Sequence, residues 1–87
     1  MTAQPWFVYL LECADNTLYC GVTTDLTRRV AEHNAGTGAK YTRSRLPVRL
    51  AASRKCQDKS DALRLEIKIK KLPRSRKLHM LRNAEKE

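Results

Sequence analysis

Two short stretches near the start of the chain concentrate β-branched, aromatic and aliphatic residues: Phe7 to Cys13, and Thr17 to Thr23 across an Asp15-Asn16 turn signal. They predict a β-hairpin. Thr24 or Asp25 can then cap a short amphipathic helix, with Leu26 in its first turn, Val30 four residues on and Ala31 beside it, ending near Asn34 and Gly36. Ala35 to Lys40 reads as a flexible loop, and Val48 to Arg54, just after Pro47, fits a third strand. From Ser60 to about Lys71 the apolar residues Ala62, Leu65, Ile69 and Leu72 recur at helical spacing until Pro73 forbids continuation. Ser75 to Asn83, with Leu78 and Leu81 three apart, makes a last helix, and Ala84 to Glu87 is expected to fray. The order β-β-α-β-α-α implies an α+β domain, a small three-stranded antiparallel sheet flanked by helices, with no internal repeat.

At 87 residues the chain is one domain's worth, 1–87, with a thin core. Apolar residues make up 41% of it, and no apolar run approaches the roughly 20 residues a membrane span needs. Met1-Thr2-Ala3-Gln4-Pro5 lacks the basic and apolar regions of a secretory signal, so a cytoplasmic location is expected and no membrane partner. Cys13, Cys20 and Cys56 cannot all pair within one chain and match neither a zinc half-site nor a redox motif, which points to reduced, packed thiols.

Charge changes the picture more. Eighteen basic against nine acidic residues give a net charge of +9. Before Lys40 the chain carries only Arg28 and Arg29 against Glu12, Asp15, Asp25 and Glu32, so the whole excess lies beyond that point. The C-terminal half is the expected polyanion-facing surface.

Four features are hard to explain by packing alone. Tyr9 and Tyr19 stand one on each arm of the hairpin, where a strand tyrosine is ordinarily half-buried core. Arg29 and His33, four apart, project from one helix face, which taken alone reads as a solvated face. Glu66 interrupts the apolar stripe of Ala62, Leu65 and Ile69; an ionised carboxylate there needs a metal or a cation such as Arg64 or Lys70. Gly21 lies in mid-strand, where glycine marks close approach of another group.

Val8-Tyr9-Leu10 followed by Tyr19-Cys20-Gly21 resembles the paired tripeptides that name the GIY-YIG nuclease superfamily. In that family a helical arginine follows the second glycine by eight residues, which falls on Arg29, and a tyrosine or histidine four further on falls on His33. A glutamate of a later helix, the metal ligand, falls on Glu66. The resemblance runs from about Phe7 to Leu81. Through Thr24 to Arg29, Glu32-His33-Asn34 and the Gly36 to Lys40 loop, the chain is similar to short stand-alone bacterial members and to the nuclease domain of eukaryotic enzymes that cut branched DNA. Val22 stands where excision-repair members carry a lysine, and where several members have a last-helix asparagine this chain offers Arg76, Lys77 and only later Asn83.

The resemblance implies metal-assisted hydrolysis of a phosphodiester in DNA, branched or single-stranded, with a partner protein compatible. One Mg²⁺ or Mn²⁺ would be held by Glu66, Arg29 would clamp phosphate oxygens, and one tyrosine would orient or deprotonate the attacking water, assisted by the other or by His33. Lys40, Arg43 and Arg45 in one basic stretch, and Lys70, Lys71, Arg76 and Lys77 in another, are the candidate nucleic-acid contacts. Two other classes fit the same charge: a catalytically weak or inactive nucleic-acid-binding module of this fold, and a basic RNA-associated protein.

Strand parity sets a condition on the tyrosine pair. A strict two-residue turn at Asp15-Asn16 would put Tyr9 opposite Val22 and Tyr19 opposite Glu12, on opposite faces. A shared site therefore requires a three- or five-residue connection, or a bulge.

Overall fold

The computed structural model describes residues 4–83. Expectations for Ala84 to Glu87 lie outside the described residues, as does the side chain of Asn83. The hairpin consists of β1 (Trp6–Glu12) and β2 (Leu18–Thr23), and its turn is a three-residue connection, Ala14-Asp15-Asn16. Asn16 donates its N–H to the Cys13 carbonyl at 3.0 Å and takes φ 67°, a left-handed conformation that asparagine tolerates, while Cys13 N–H reaches the Thr17 carbonyl at 2.9 Å. Asp15 accepts from both the backbone N–H and the hydroxyl of Thr17, which holds the turn. The resulting register pairs Tyr9 with Gly21 and Leu11 with Tyr19, so both tyrosines share one face of the sheet. The parity condition is met.

After the hairpin come α1 (Leu26–Asn34), α2 (Lys40–Arg43), β3 (Arg49–Cys56), α3 (Lys59–Lys70) and α4 (Arg74–Asn83). All strand pairs are antiparallel and the order is β2-β1-β3. Asp25, not Thr24, caps α1 by accepting the Arg28 N–H, and Asp58 caps α3 by accepting that of Asp61. The short helix α2 stands where the sequence reading ends a flexible loop. β3 carries an extra residue, Ala51, because Leu10 pairs with Ala52 but Leu11 with Leu50.

Both faces of the central strand are covered, so Val8, Tyr9, Leu10 and Leu11 are all buried in succession. On one face Val8, Leu10 and Cys20 pack against Ala62 and Ile69 of α3 and Leu81 of α4. On the other, Tyr9, Leu11 and Cys13 pack with Val48, Leu26, Val30 and Leu46 beneath α1. Asn34, at the end of α1, donates to the Val48 carbonyl at 2.9 Å and accepts its N–H at 2.8 Å, tying the helix to the chain that enters β3. Glu12 at the end of β1 is shared by Arg49 of β3 and, at 2.6 Å, Arg74 of α4. All three cysteines are free, with Cys13 and Cys20 buried as expected. Among the described residues no helix is long and apolar enough to cross a membrane.

Candidate active site

The hairpin register brings Tyr9 and Tyr19 within a ring-centroid distance of 6.4 Å, tilted by 48°. Gly21 makes this possible: a Cβ built there would fall 2.5 Å from the Tyr9 phenol oxygen and 3.1 Å from the Tyr19 ring. The close approach that a mid-strand glycine signals is thus the approach of the two tyrosines themselves.

Helix α1 lies over the same face. Its last turn inserts His33, which is fully buried, and the solvated-face alternative for this residue is excluded. The Tyr9 hydroxyl lies 3.0 Å from His33 Nε2, and His33 Nδ1 lies 2.8 Å from the hydroxyl of buried Thr42 in α2. Thr42 in turn donates to the Ala39 carbonyl at 2.9 Å. Gly38 leaves room for the imidazole, since a Cβ there would sit 2.5 Å from Nδ1 and 2.8 Å from the His33 Cα. Burial, and then the neighbouring Arg29 cation, hold the imidazole below its ordinary pKa, against a smaller opposing pull from Glu32. Protonation of the His33 ring is correspondingly disfavoured.

One turn earlier on α1, Arg29 keeps about a third of its side chain exposed, 31%. Its guanidinium bonds Glu32 at 3.0 Å and lies near enough to the Tyr9 phenol for the two to act on each other electrostatically. Burial pushes the Tyr9 phenol up to about 12 even though the neighbouring Arg29 guanidinium pulls the other way, so Tyr9 stays protonated. The Tyr19 hydroxyl, by contrast, makes no hydrogen bond among the described residues, and Tyr19 is only half-buried.

The aromatic face continues outward. Tyr41 of α2 stacks on Tyr19 with centroids 6.0 Å apart and planes at 25°, and the Arg45 guanidinium lies 3.9 Å from the Tyr41 ring centroid. Arg45 also bonds Asp15 at 3.0 Å and the Tyr41 carbonyl at 2.7 Å. Arg45, expected from the sequence as a nucleic-acid contact, thus braces the hairpin turn and Tyr41 while about a third of its side chain stays exposed, 32%. Sequence reasoning missed Tyr41, Thr42 and Gly38, although the Gly36 to Lys40 loop carried part of the resemblance. A helix of four residues shows no periodicity to find.

Glu66 is reached from the other side. Helix α3 packs on the face that carries Cys20, and Glu66 is close enough to Cys20 to add, after burial, to the rise of that thiol to about 12. Its side chain is 16% exposed and pairs with Lys70 at 3.4 Å, one of the two cations expected as alternatives to a metal. No hydrogen bond or ion pair among the described residues joins Glu66 to Tyr9, Tyr19, Arg29 or His33. Nor do three or more His, Cys, Asp or Glu side chains gather there as a cage for a cation. A single, half-buried carboxylate beside the edge strand is nonetheless a hard oxygen donor of the kind that suits Mg²⁺, which keeps most of its waters and takes one or two carboxylates plus phosphate. Of the remaining candidates, Lys40, Arg43, Lys71 and Arg76 are exposed and Lys77 is half-buried.

Comparison with known proteins shows the family. The profile of the GIY-YIG catalytic domain matches residues 5–79. A "UPF0213 protein" of Lactococcus lactis subsp. cremoris is 55% identical over 78 residues, 88% of this chain and 80% of that one. A UPF0213 protein of Halobacterium salinarum is 57% identical over 70 residues, 80% and 91% of the two chains. Among solved structures, the solution structure of protein EF2693 from E. faecalis superposes with a TM-score of 0.66 at 39% identity, covering 99% of this chain and 92% of that one. That of the UPF0213 protein BH0048 from Bacillus halodurans gives 0.54 at 45% identity, covering 87% and 81%. The matched span contains both tyrosines, Gly21, Arg29, His33 and Glu66, and the chain belongs to the GIY-YIG catalytic domain family, a nuclease family that acts on nucleic acid and generally depends on a divalent metal.

Proposed function

We propose that this protein is an endonuclease that hydrolyses phosphodiester bonds in DNA with Mg²⁺ or Mn²⁺, choosing its substrate by shape more than by sequence. The observation that carries this reading is the placement of Arg29: a permanent cation, part-exposed, held by Glu32 beside Tyr9 at the rim of a cluster whose inner members are buried. Its planar fork has donors left to grip the non-bridging oxygens of a phosphate. Tyr19, with its hydroxyl uncommitted on the same face, holds the attacking water, because a phenol both donates and accepts. Tyr9, kept protonated, orients Arg29 rather than acting as a base. Glu66 would hold the cation, which when bound supplies charge neutralisation on the phosphate and its leaving oxygen.

Exposed Lys40, Arg43, Lys71 and Arg76 supply backbone contacts, which makes binding salt-dependent. A second reading, a catalytically weak or inactive nucleic-acid-binding module, draws support from the Glu66–Lys70 pair and from Val22 in the place of a family lysine. The two are separated by incubating the pure protein with labelled single-stranded, flap and branched DNA, and matching RNA, with Mg²⁺ or Mn²⁺ and with chelator. Metal-dependent cleavage of DNA supports the enzyme; tight binding without cleavage under every condition overturns it.

A further inference from the structure

We propose that Thr42 is a positioning residue that fixes His33 as the Nδ1–H tautomer and thereby turns the Tyr9 proton away from Arg29. The inference follows from counting protons along one buried chain of contacts. The Thr42 hydroxyl has a single proton and two partners, the Ala39 carbonyl at 2.9 Å and His33 Nδ1 at 2.8 Å. A carbonyl can only accept, so the hydroxyl donates to it and Nδ1 must bring a proton of its own. A neutral imidazole carries one, so Nε2 is bare and accepts the Tyr9 O–H at 3.0 Å. The Tyr9 oxygen then turns only lone pairs toward the neighbouring Arg29 cation.

The opposite tautomer breaks this sequence at both ends. With the proton on Nε2, that N–H would point at the Tyr9 oxygen, and the phenol proton would lose the ring nitrogen as its acceptor. At the other end the Ala39 carbonyl would lose the Thr42 hydroxyl. Every buried polar side-chain atom among the described residues has a partner in the observed arrangement, and only the Nδ1–H form keeps all of these contacts. Gly38 guards the same point, because any side chain there would press on Nδ1 from 2.5 Å.

The consequence for catalysis rests on Arg29 being the phosphate clamp, whereas the tautomer itself does not. Long-range ¹H–¹⁵N correlation of histidine-labelled protein reads the two ring nitrogens of His33 directly. The expected spectrum shows a protonated Nδ1 and a bare Nε2 in the native protein and in Thr42→Ser. Thr42→Val, which keeps the shape and loses the hydroxyl, shifts toward Nε2–H, the form an unconstrained imidazole favours. In a cleavage assay Thr42→Val should lower kcat roughly 10- to 100-fold with KM little changed, with Thr42→Ser restoring it. A native Nε2–H spectrum, or an unchanged tautomer in a folded Thr42→Val, overturns the inference; should that variant fail to fold, the native and Thr42→Ser spectra decide. A protein that never cleaves but shows Nδ1–H refutes the nuclease reading and leaves this one standing.

Discussion

The phenol oxygen of Tyr9 lies over its cross-strand partner Gly21 so closely that a methyl group at position 21 would meet it at 2.5 Å and its Cζ at 2.7 Å. The ring cannot yield without leaving His33, to which it is bonded at 3.0 Å. Gly21→Ala should therefore destabilise the fold by about 1–3 kcal/mol from overpacking, which outweighs the roughly 0.5–1 kcal/mol that alanine gains over glycine in a strand. Urea denaturation measures it. A variant as stable as the native protein would mean that Tyr9 has room to move.

Asn34 imitates a neighbouring strand, giving Val48 both a donor and an acceptor at the point where the chain enters β3. Asn34→Ala leaves that pair of backbone groups without side-chain partners, at about 1–3 kcal/mol. Asn34→Asp should also destabilise, since it keeps the acceptor but sets an oxygen against the Val48 carbonyl. Amide exchange at Val48 should quicken in both variants; unchanged protection would show that this contact does not hold the strand.

Much of the fold was legible because its signals are local. The Asp15-Asn16 turn, the Pro73 stop and the stripe of Ala62, Leu65 and Ile69 each act within a few residues. The tyrosine pair was legible through parity, because a shared site and a two-residue turn are incompatible. What escaped depends on tertiary contact. Thr42 matters only because the chain folds back to set it against His33, nine residues earlier, and Gly38 only because an imidazole fills the space beside it. Whether the Arg29 and His33 face met water or core was undecidable from two polar residues at helical spacing. The Lys70 pairing of Glu66 was one of two candidates that spacing alone could not separate.

Arg45 differs from Lys40 and Arg43 in having partners within the fold. Its guanidinium is taken by Asp15 and the Tyr41 ring, whereas Lys40 and Arg43 stand exposed. Replacing Lys40 or Arg43 with glutamine should flatten the salt dependence of DNA binding by roughly 0.9 per lost duplex phosphate contact. Arg45→Gln should leave the slope in place and lower thermal stability. A slope that falls with Arg45 as much as with Lys40 would contradict this assignment.

His33 gives stability a dependence on pH with a definite sign. Burial and Arg29 depress its folded pKa, so below about 6.5 the unfolded chain binds a proton that the folded protein resists. This contribution is fully present above about 6.5 and is lost as the pH falls toward the depressed folded value. Tyr9, Tyr19, Arg29 and Glu32 surround the ring. Tm should hold steady from pH 8 to 7 and drop as the pH falls below about 6.5, with a shallower drop in His33→Gln. Equal slopes in the two proteins would place the titrating group elsewhere.

The central claim, that a cation at Glu66 serves chemistry at the tyrosine face, meets its most direct test in Glu66→Gln. The substitution keeps volume and hydrogen-bonding capacity while removing the negative charge a hard cation needs. Nicking rate at saturating Mg²⁺ and thermal stability are measured on the same preparation. The nuclease reading predicts cleavage lost by orders of magnitude with the fold intact and DNA binding retained or tightened, since an anion has left a polyanion-binding surface. If Glu66 serves only to pair with Lys70, the variant loses some stability and cleaves as the native protein does, and that outcome would contradict the assignment.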